Sequence, residues 1–138
     1  MFTTYWFCRA GLLCGLVCCA AAPALAAKNS AAPQPRVIAL DAAGKDYLPI
    51  LTGPPQSVTM ESGLVVLAPN HSVGKHSTKA HEELLIVLEG EGEMLFANGS
   101  KLPVKANSAV YCPPQTEHDV KNTGTSTLRY VYVVADAK

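Results

Sequence analysis

The chain has 138 residues, 49% of them hydrophobic, and its 11 Lys and Arg balance 11 Asp and Glu. That length provides for one modest domain with one core. Near-zero net charge without a basic cluster gives no electrostatic footprint for nucleic acid, so no nucleic-acid partner is expected.

In chain order, Met1–Arg9 carries one positive charge and Gly11–Ala22 is apolar, rich in Leu, Val, Cys and Ala. Pro23-Ala24-Leu25-Ala26 closes this stretch with small residues spaced A-x-A. The layout predicts a signal peptide over residues 1–26, cleaved near Ala26 or Ala27. A transmembrane anchor fits less well, because the apolar core is short for a bilayer and a polar linker follows at once. Leu16-Val17-Cys18-Cys19 resembles a lipobox only loosely. The expectation is a protein secreted or periplasmic in a bacterium, with no membrane contact after cleavage. Cleavage removes Cys8, Cys14, Cys18 and Cys19 and leaves Cys112 alone. A single thiol forms no internal disulfide, so the core must hold the domain together.

Residues 27–35 read as a disordered linker of Pro, Ala and Ser character. Residues 36–56 read as an N-terminal arm: a short edge strand over Arg36–Leu40, then turn chemistry at Ala43-Gly44, Leu48-Pro49 and Gly53-Pro54-Pro55. The domain proper is expected over residues 57–138. Ser57–Glu61 and Leu64–Ala68 are β-rich runs separated by Ser62-Gly63, and Gly74–Lys79 and Glu83–Leu88 follow. Gly90-Glu91-Gly92 makes a turn, and Glu93–Ala97 ends in the hairpin signal Asn98-Gly99. Lys101–Lys105, Ala109–Cys112, Glu117–Lys121 and Thr127–Ala135 complete the series. Short strands at roughly ten-residue spacing, with Gly, Pro and Asn between them, predict an all-β sandwich or barrel with little helix.

On the Glu83–Leu88 strand, Glu83, Leu85 and Val87 share one face and Leu84, Ile86 and Leu88 the other. Both faces are apolar beyond Glu83. The last strand repeats the pattern, with Tyr130 and Tyr132 opposite Val131 and Val133. A face of this kind needs a cover, such as a second sheet, the arm or a second subunit, and a homodimer formed by sheet packing is one expectation.

His76, His81, Glu82 and Glu83 fall within eight residues, immediately before a run of five apolar residues. Imidazole and carboxylate at such spacing suit a divalent transition metal: Mn, Fe, Co, Ni, Cu or Zn. One segment supplies only part of a coordination shell. The natural closing ligand is His118, at the start of a β run after the Pro113-Pro114 turn.

At these residues the chain resembles the cupin family, in its small single-domain form. His76, Glu83 and Gly90 stand in register with that family's first motif, and Pro113, His118 and Asn122 with its second. Leu84–Gly92 also reads as cupin-like sequence. The resemblance implies a double-stranded β-helix, or jelly-roll barrel, with a metal held by His76, Glu83 and His118. Thr78 stands where the family has a further histidine, and Asn70, Asn107 and Gln115 stand at glycine positions. Asn tolerates the left-handed conformation that glycine supplies there, and Gln less so. Two histidines and one carboxylate remain a competent ligand set. His81 lies on Glu83's face of a regular strand and is a candidate replacement ligand, or else a partly exposed turn residue. Thr78 would at most orient a bound water.

Among the remaining polar groups, His71 reads as a surface loop residue. Glu82 is either solvated or a partner of a ligating histidine. Cys112 is a small buried hydrophobe, or else a thiol used in the site or as a redox-sensitive group. Tyr111, Tyr130 and Tyr132 pack, or line a ligand cavity. The resemblance leaves two functions open. One is a metal-dependent dioxygenase, isomerase or decarboxylase acting on a small polar substrate, with Glu82, Glu117 or Tyr111 as candidate proton carriers. The other is a non-catalytic binding or sensor module for a small molecule such as a sugar, with a degenerate metal site. The catalytic residues are not identified by the sequence.

Overall fold

The alternating pattern resolves into eight strands in the computed structural model, which describes residues 32–137. The expected signal peptide and its four cysteines lie outside the described residues, as do residues 27–31 of the linker. The strands are β1 (Tyr47–Thr52), β2 (Glu61–Leu67), β3 (His81–Glu89), β4 (Glu91–Phe96), β5 (Lys101–Lys105), β6 (Ser108–Cys112), β7 (His118–Lys121) and β8 (Leu128–Asp136). They form a five-stranded sheet in the order β1-β2-β8-β3-β6 and a three-stranded sheet in the order β5-β4-β7. Every pairing is antiparallel. No helix occurs among the described residues. This is the expected jelly-roll architecture.

The core lies between the two sheets. Leu85 and Val87 of β3 point into it, and Leu84 and Ile86 point outward, as the alternation requires. Met94, Val104, Val110, Val120, Leu128 and Tyr130 meet them from the other strands. Full burial of each such aliphatic side chain contributes roughly 1.5–3 kcal/mol. Asn122, fully buried, ties the layers together at one end: its amide donates to the carbonyls of Leu67 and Ser126, and its oxygen accepts from Gly124 N–H.

Several local expectations shift. The N-terminal edge strand is Tyr47–Thr52 and not Arg36–Leu40, which has no regular structure and leaves Val37 fully exposed. Pro49 is tolerated in β1 because that strand is at the edge of the sheet, and the register slips between Pro49 and Leu51. Ser62-Gly63 does not turn the chain. β2 runs straight through it, and Gly63 is required because a Cβ there would stand 2.6 Å from the Tyr47 ring and 2.8 Å from that of Tyr132. Those two rings stack, and their hydroxyls meet at 2.7 Å. Gly74–Lys79 is not a strand. It contributes only the isolated bridge between His76 and His118.

The turns explain the residues found at the glycine positions. Asn70, Asn107 and Gln115 all adopt left-handed backbone, with φ of 66°, 63° and 59°. Gln115 is anchored there by its N–H donating to the Lys79 carbonyl at 2.6 Å. Gly90, with φ of 78°, carries the chain from one sheet to the other, and a Cβ there would lie 2.3 Å from the Thr127 carbonyl oxygen.

Candidate metal centre

His76 and His118 are brought together by their own backbones. Each donates its N–H to the other's carbonyl at 2.9 Å, a single antiparallel bridge between the loop before β3 and the first residue of β7. Their rings stand 4.5 Å apart, tilted by 58°. Glu83 approaches from β3 in the opposite sheet. One ligand atom from each of His76, Glu83 and His118 lies within 4.8 Å of the other two. Ligands of one ion with bonds near 2.1 Å lie within about 4.2 Å of each other, close to the observed separation. His76 is the exposed member of the three.

Hydrogen bonds to the chain set which nitrogen each histidine offers. Carbonyl oxygens only accept, so His76 Nδ1–H donates to Gly74 O at 2.9 Å and His118 Nδ1–H donates to Thr116 O at 3.1 Å. Both Nε2 atoms therefore carry the lone pair that a metal requires. The Cys112 thiol stands 3.2 Å from the same Nδ1 of His118, and Cys112 is also the cross-strand partner of Glu83. Two of the three candidate ligands thus rest on this buried residue.

The buried pair at the centre is unsatisfied. His118 Nε2 and Glu83 Oε2 approach to 3.1 Å but out of hydrogen-bond alignment, and both atoms lack a partner although their residues are buried. Orphaned buried atoms of this kind are costly and rare. With Nδ1 holding the proton, a neutral His118 presents a lone pair to a carboxylate, so two acceptors face each other. The ring's pKa is raised on balance: burial, the largest influence, lowers it, and the neighbouring Glu83 carboxylate and Thr116 carbonyl outweigh that effect. A divalent cation satisfies both lone pairs at once. The residues present therefore fit a transition metal on two imidazoles and one carboxylate.

His81 stands outside this cluster. Its Nδ1 donates to Thr78 O at 3.0 Å, and its Nε2 faces Asp136 at 2.8 Å, so both nitrogens are engaged. The Thr78 hydroxyl donates to the His81 carbonyl at 2.8 Å and lines the cavity beside the candidate ligands. His71 is an exposed loop residue. Glu82 and Tyr111 bond each other at 3.0 Å and, like Glu117, do not line the metal cavity. Cys112 is fully buried, and burial, assisted by Glu83, raises its pKa, so it is held as a neutral thiol.

The cavity above the cluster measures about 230 Å³. Its other walls are Val65, Val73, Val120, Val134, Tyr130 and Tyr132. Of these the sequence reading named only the tyrosines. Strand alternation carries the signal for two valines: Val120 shares a face with His118, and Val134 lies directly opposite Glu83. Among the described residues no Lys or Arg lines the cavity.

Comparison with known proteins agrees with this arrangement. Residues 63–134, just over half of the chain, match the profile of the cupin domain. An oxalate-binding protein of Thermotoga maritima is 32% identical over 68 residues, which cover 49% of this chain and 55% of that protein. The match thus spans little more than half of that relative's length. A cupin 2 conserved barrel domain protein from Salinispora arenicola superposes with a TM-score of 0.63 at 25% identity, covering 75% of this chain and 91% of the other. A double-stranded β-helix protein from Klebsiella pneumoniae gives 0.60 at 20% identity, covering 75% and 91%.

Proposed function

The chain belongs to the family of cupin-domain proteins, and from that premise we propose that it binds one divalent transition metal on His76, Glu83 and His118 and uses it to capture a small chelating anion. The observation that carries the reading is the buried His118–Glu83 pair, whose facing lone pairs have no partner but each other. When bound, the ion supplies positive charge and open coordination positions. His118 and Glu83 are fixed by the barrel, and His76 closes the site from its loop. The valine walls make the cavity largely apolar, and Tyr130 and Tyr132, whose pKa values burial raises, remain protonated hydroxyls near the ligand.

The kind of ligand follows from charge. With no Lys or Arg among the described residues of the walls and the Glu83 carboxyl group in them, an anion finds nothing to attract it until a metal is present. The relative described as an oxalate-binding protein supports a small bidentate carboxylate as the probe of choice. Binding without turnover is favoured over dioxygenase or isomerase chemistry, because Glu82, Glu117 and Tyr111, the candidate proton carriers, lie off the cavity.

The test is elemental analysis of untagged protein beside His118→Ala, with calorimetric titration of oxalate with and without metal. Stoichiometric metal, lost in the variant, and oxalate binding only to the loaded protein are expected. Protein that takes up no metal yet holds a small ligand would overturn the reading.

Two further parts of the reading rest on narrower support. Export rests on the Met1–Ala26 layout, and the intact mass of protein recovered from a periplasmic fraction tests it. A homodimer rests on the outer face of β3 and β6, where Leu84, Ile86 and Tyr111 are 39%, 41% and 55% exposed. Light scattering that gives a monomer mass at micromolar concentration rejects it.

A further inference from the structure

A second cavity of about 190 Å³ adjoins the metal cavity, lined by Thr59, Glu61, Thr78, His81 and Val134. Thr78 and Val134 line both spaces and form the wall they share. The metal cavity alone is small beside the roughly 300–1,000 Å³ of small-molecule sites, and the two cavities together reach that range.

The chemistry of the second cavity is opposite to that of the first. Glu61 makes no ion pair among the described residues, so its carboxylate is available to accept hydrogen bonds. The Thr59 hydroxyl lies in the same lining. His81 is pinned at both nitrogens and serves as a wall. Thr78 spends its proton on the His81 carbonyl, which leaves its oxygen as an acceptor. The space is acceptor-rich and lacks any Lys or Arg. Such a lining favours a group that donates hydrogen bonds and disfavours a second carboxylate.

Resting on the metal-site reading above, we propose that the ligand is an elongated hydroxy acid of the sugar-acid class. Its carboxylate head is chelated at the metal, and its hydroxyl-bearing tail passes Thr78 and Val134 to reach Glu61 and Thr59. Thr78 is the threshold between the two chambers. Its carbonyl and hydroxyl are both held by His81, which keeps the threshold fixed.

Glycolate and gluconate share a 2-hydroxycarboxylate head and differ in the polyol tail, so the pair isolates the second cavity. Both are titrated calorimetrically into the Mn²⁺-loaded full chain, its metal content measured first. Gluconate is expected to bind at least about tenfold more tightly than glycolate, the yield of one or two additional hydrogen bonds. That ratio should fall toward one in Glu61→Ala and, by a smaller factor, in Thr59→Ala. Glycolate titrated into the same variants reports whether the metal site still folds. Equal affinity for the two acids in the wild-type protein, or an undiminished ratio in both variants, overturns the inference. Failure of the wild-type protein to take up metal overturns the reading beneath it instead.

Discussion

Replacing Glu83 by Gln separates a metal ligand from a structural carboxylate, because the two roles predict opposite changes. Gln keeps the shape of Glu and removes the charge. Glu83 Oε2 lies 3.1 Å from His118 Nε2 with neither atom satisfied. A Gln amide donor placed there points an N–H at the lone pair of the neutral imidazole. Removing one unsatisfied buried acceptor is worth roughly 1–3 kcal/mol, so metal-free Glu83→Gln should be as stable as the wild type or more stable. The metal-loaded comparison goes the other way. At a free metal concentration about 100 times Kd, the wild type gains about 2.7 kcal/mol, which for a domain of this size raises Tm by roughly 10 °C. The variant should lose most of that increment, because neutral amides are poor ligands for these ions. Thermal melts of both proteins, with and without Mn²⁺ or Co²⁺, provide the four values needed. A variant that is more than about 2 kcal/mol less stable without metal, and that still shows the full metal-dependent rise, would establish Glu83 as the ion-pair partner of His118 and refute the ligand assignment.

Cys112→Ala should lower metal affinity by about 10- to 100-fold, the usual effect of removing a group that orients a ligating histidine, because the thiol sits 3.2 Å from His118 Nδ1. Cys112→Ser, which keeps an acceptor, should recover most of the loss, and competition against a chromophoric chelator measures both; unchanged affinity in the Ala variant rejects the role. At alkaline pH, Tyr130 and Tyr132 have pKa values raised above 10.0, by burial first and, for Tyr132, by the Tyr47 hydroxyl next. The folded state therefore holds these protons more tightly than the unfolded chain. Their contribution is fully present below pH 10 and is lost as pH rises through the folded values. Urea midpoints should fall above about pH 10, less steeply in Tyr132→Phe, and a flat profile to pH 11 contradicts the reading.

How far the residues foretold the site depended on the range of the interactions involved. β3 was legible because alternation is local: each side chain's face follows from its neighbour's, and Glu83, Leu85 and Val87 point inward as expected. The Asn98-Gly99 hairpin was legible for the same reason. β1 was not, because an edge strand containing Pro49 carries weak local signals and is stabilised by pairing with β2. Gly63 was misread as a turn because the reason for a glycine there is two tyrosine rings, one from β1 and one from β8. Among the candidate ligands, His76, Glu83 and His118 followed from motif register. The engagement of His81 did not, since it depends on Asp136, more than fifty residues away in sequence.

The same distinction bears on Thr78. The resemblance places a histidine at that position, and on sequence grounds His81 was the nearest substitute. The structure couples the two residues differently: the Thr78 carbonyl accepts a hydrogen bond from His81 Nδ1–H, and the Thr78 hydroxyl donates to the His81 carbonyl. Holding His81 in this way removes it from the ligand set and turns it into a wall of the second cavity. A small side chain at position 78 therefore has two consequences with one cause. It leaves the candidate metal with three protein ligands, and it stands in the wall shared by the chamber proposed for a ligand's head and the chamber proposed for its tail. An imidazole at this position would add a donor and fill the threshold together. On the proposed reading, coordination number and ligand length would be set by the same residue.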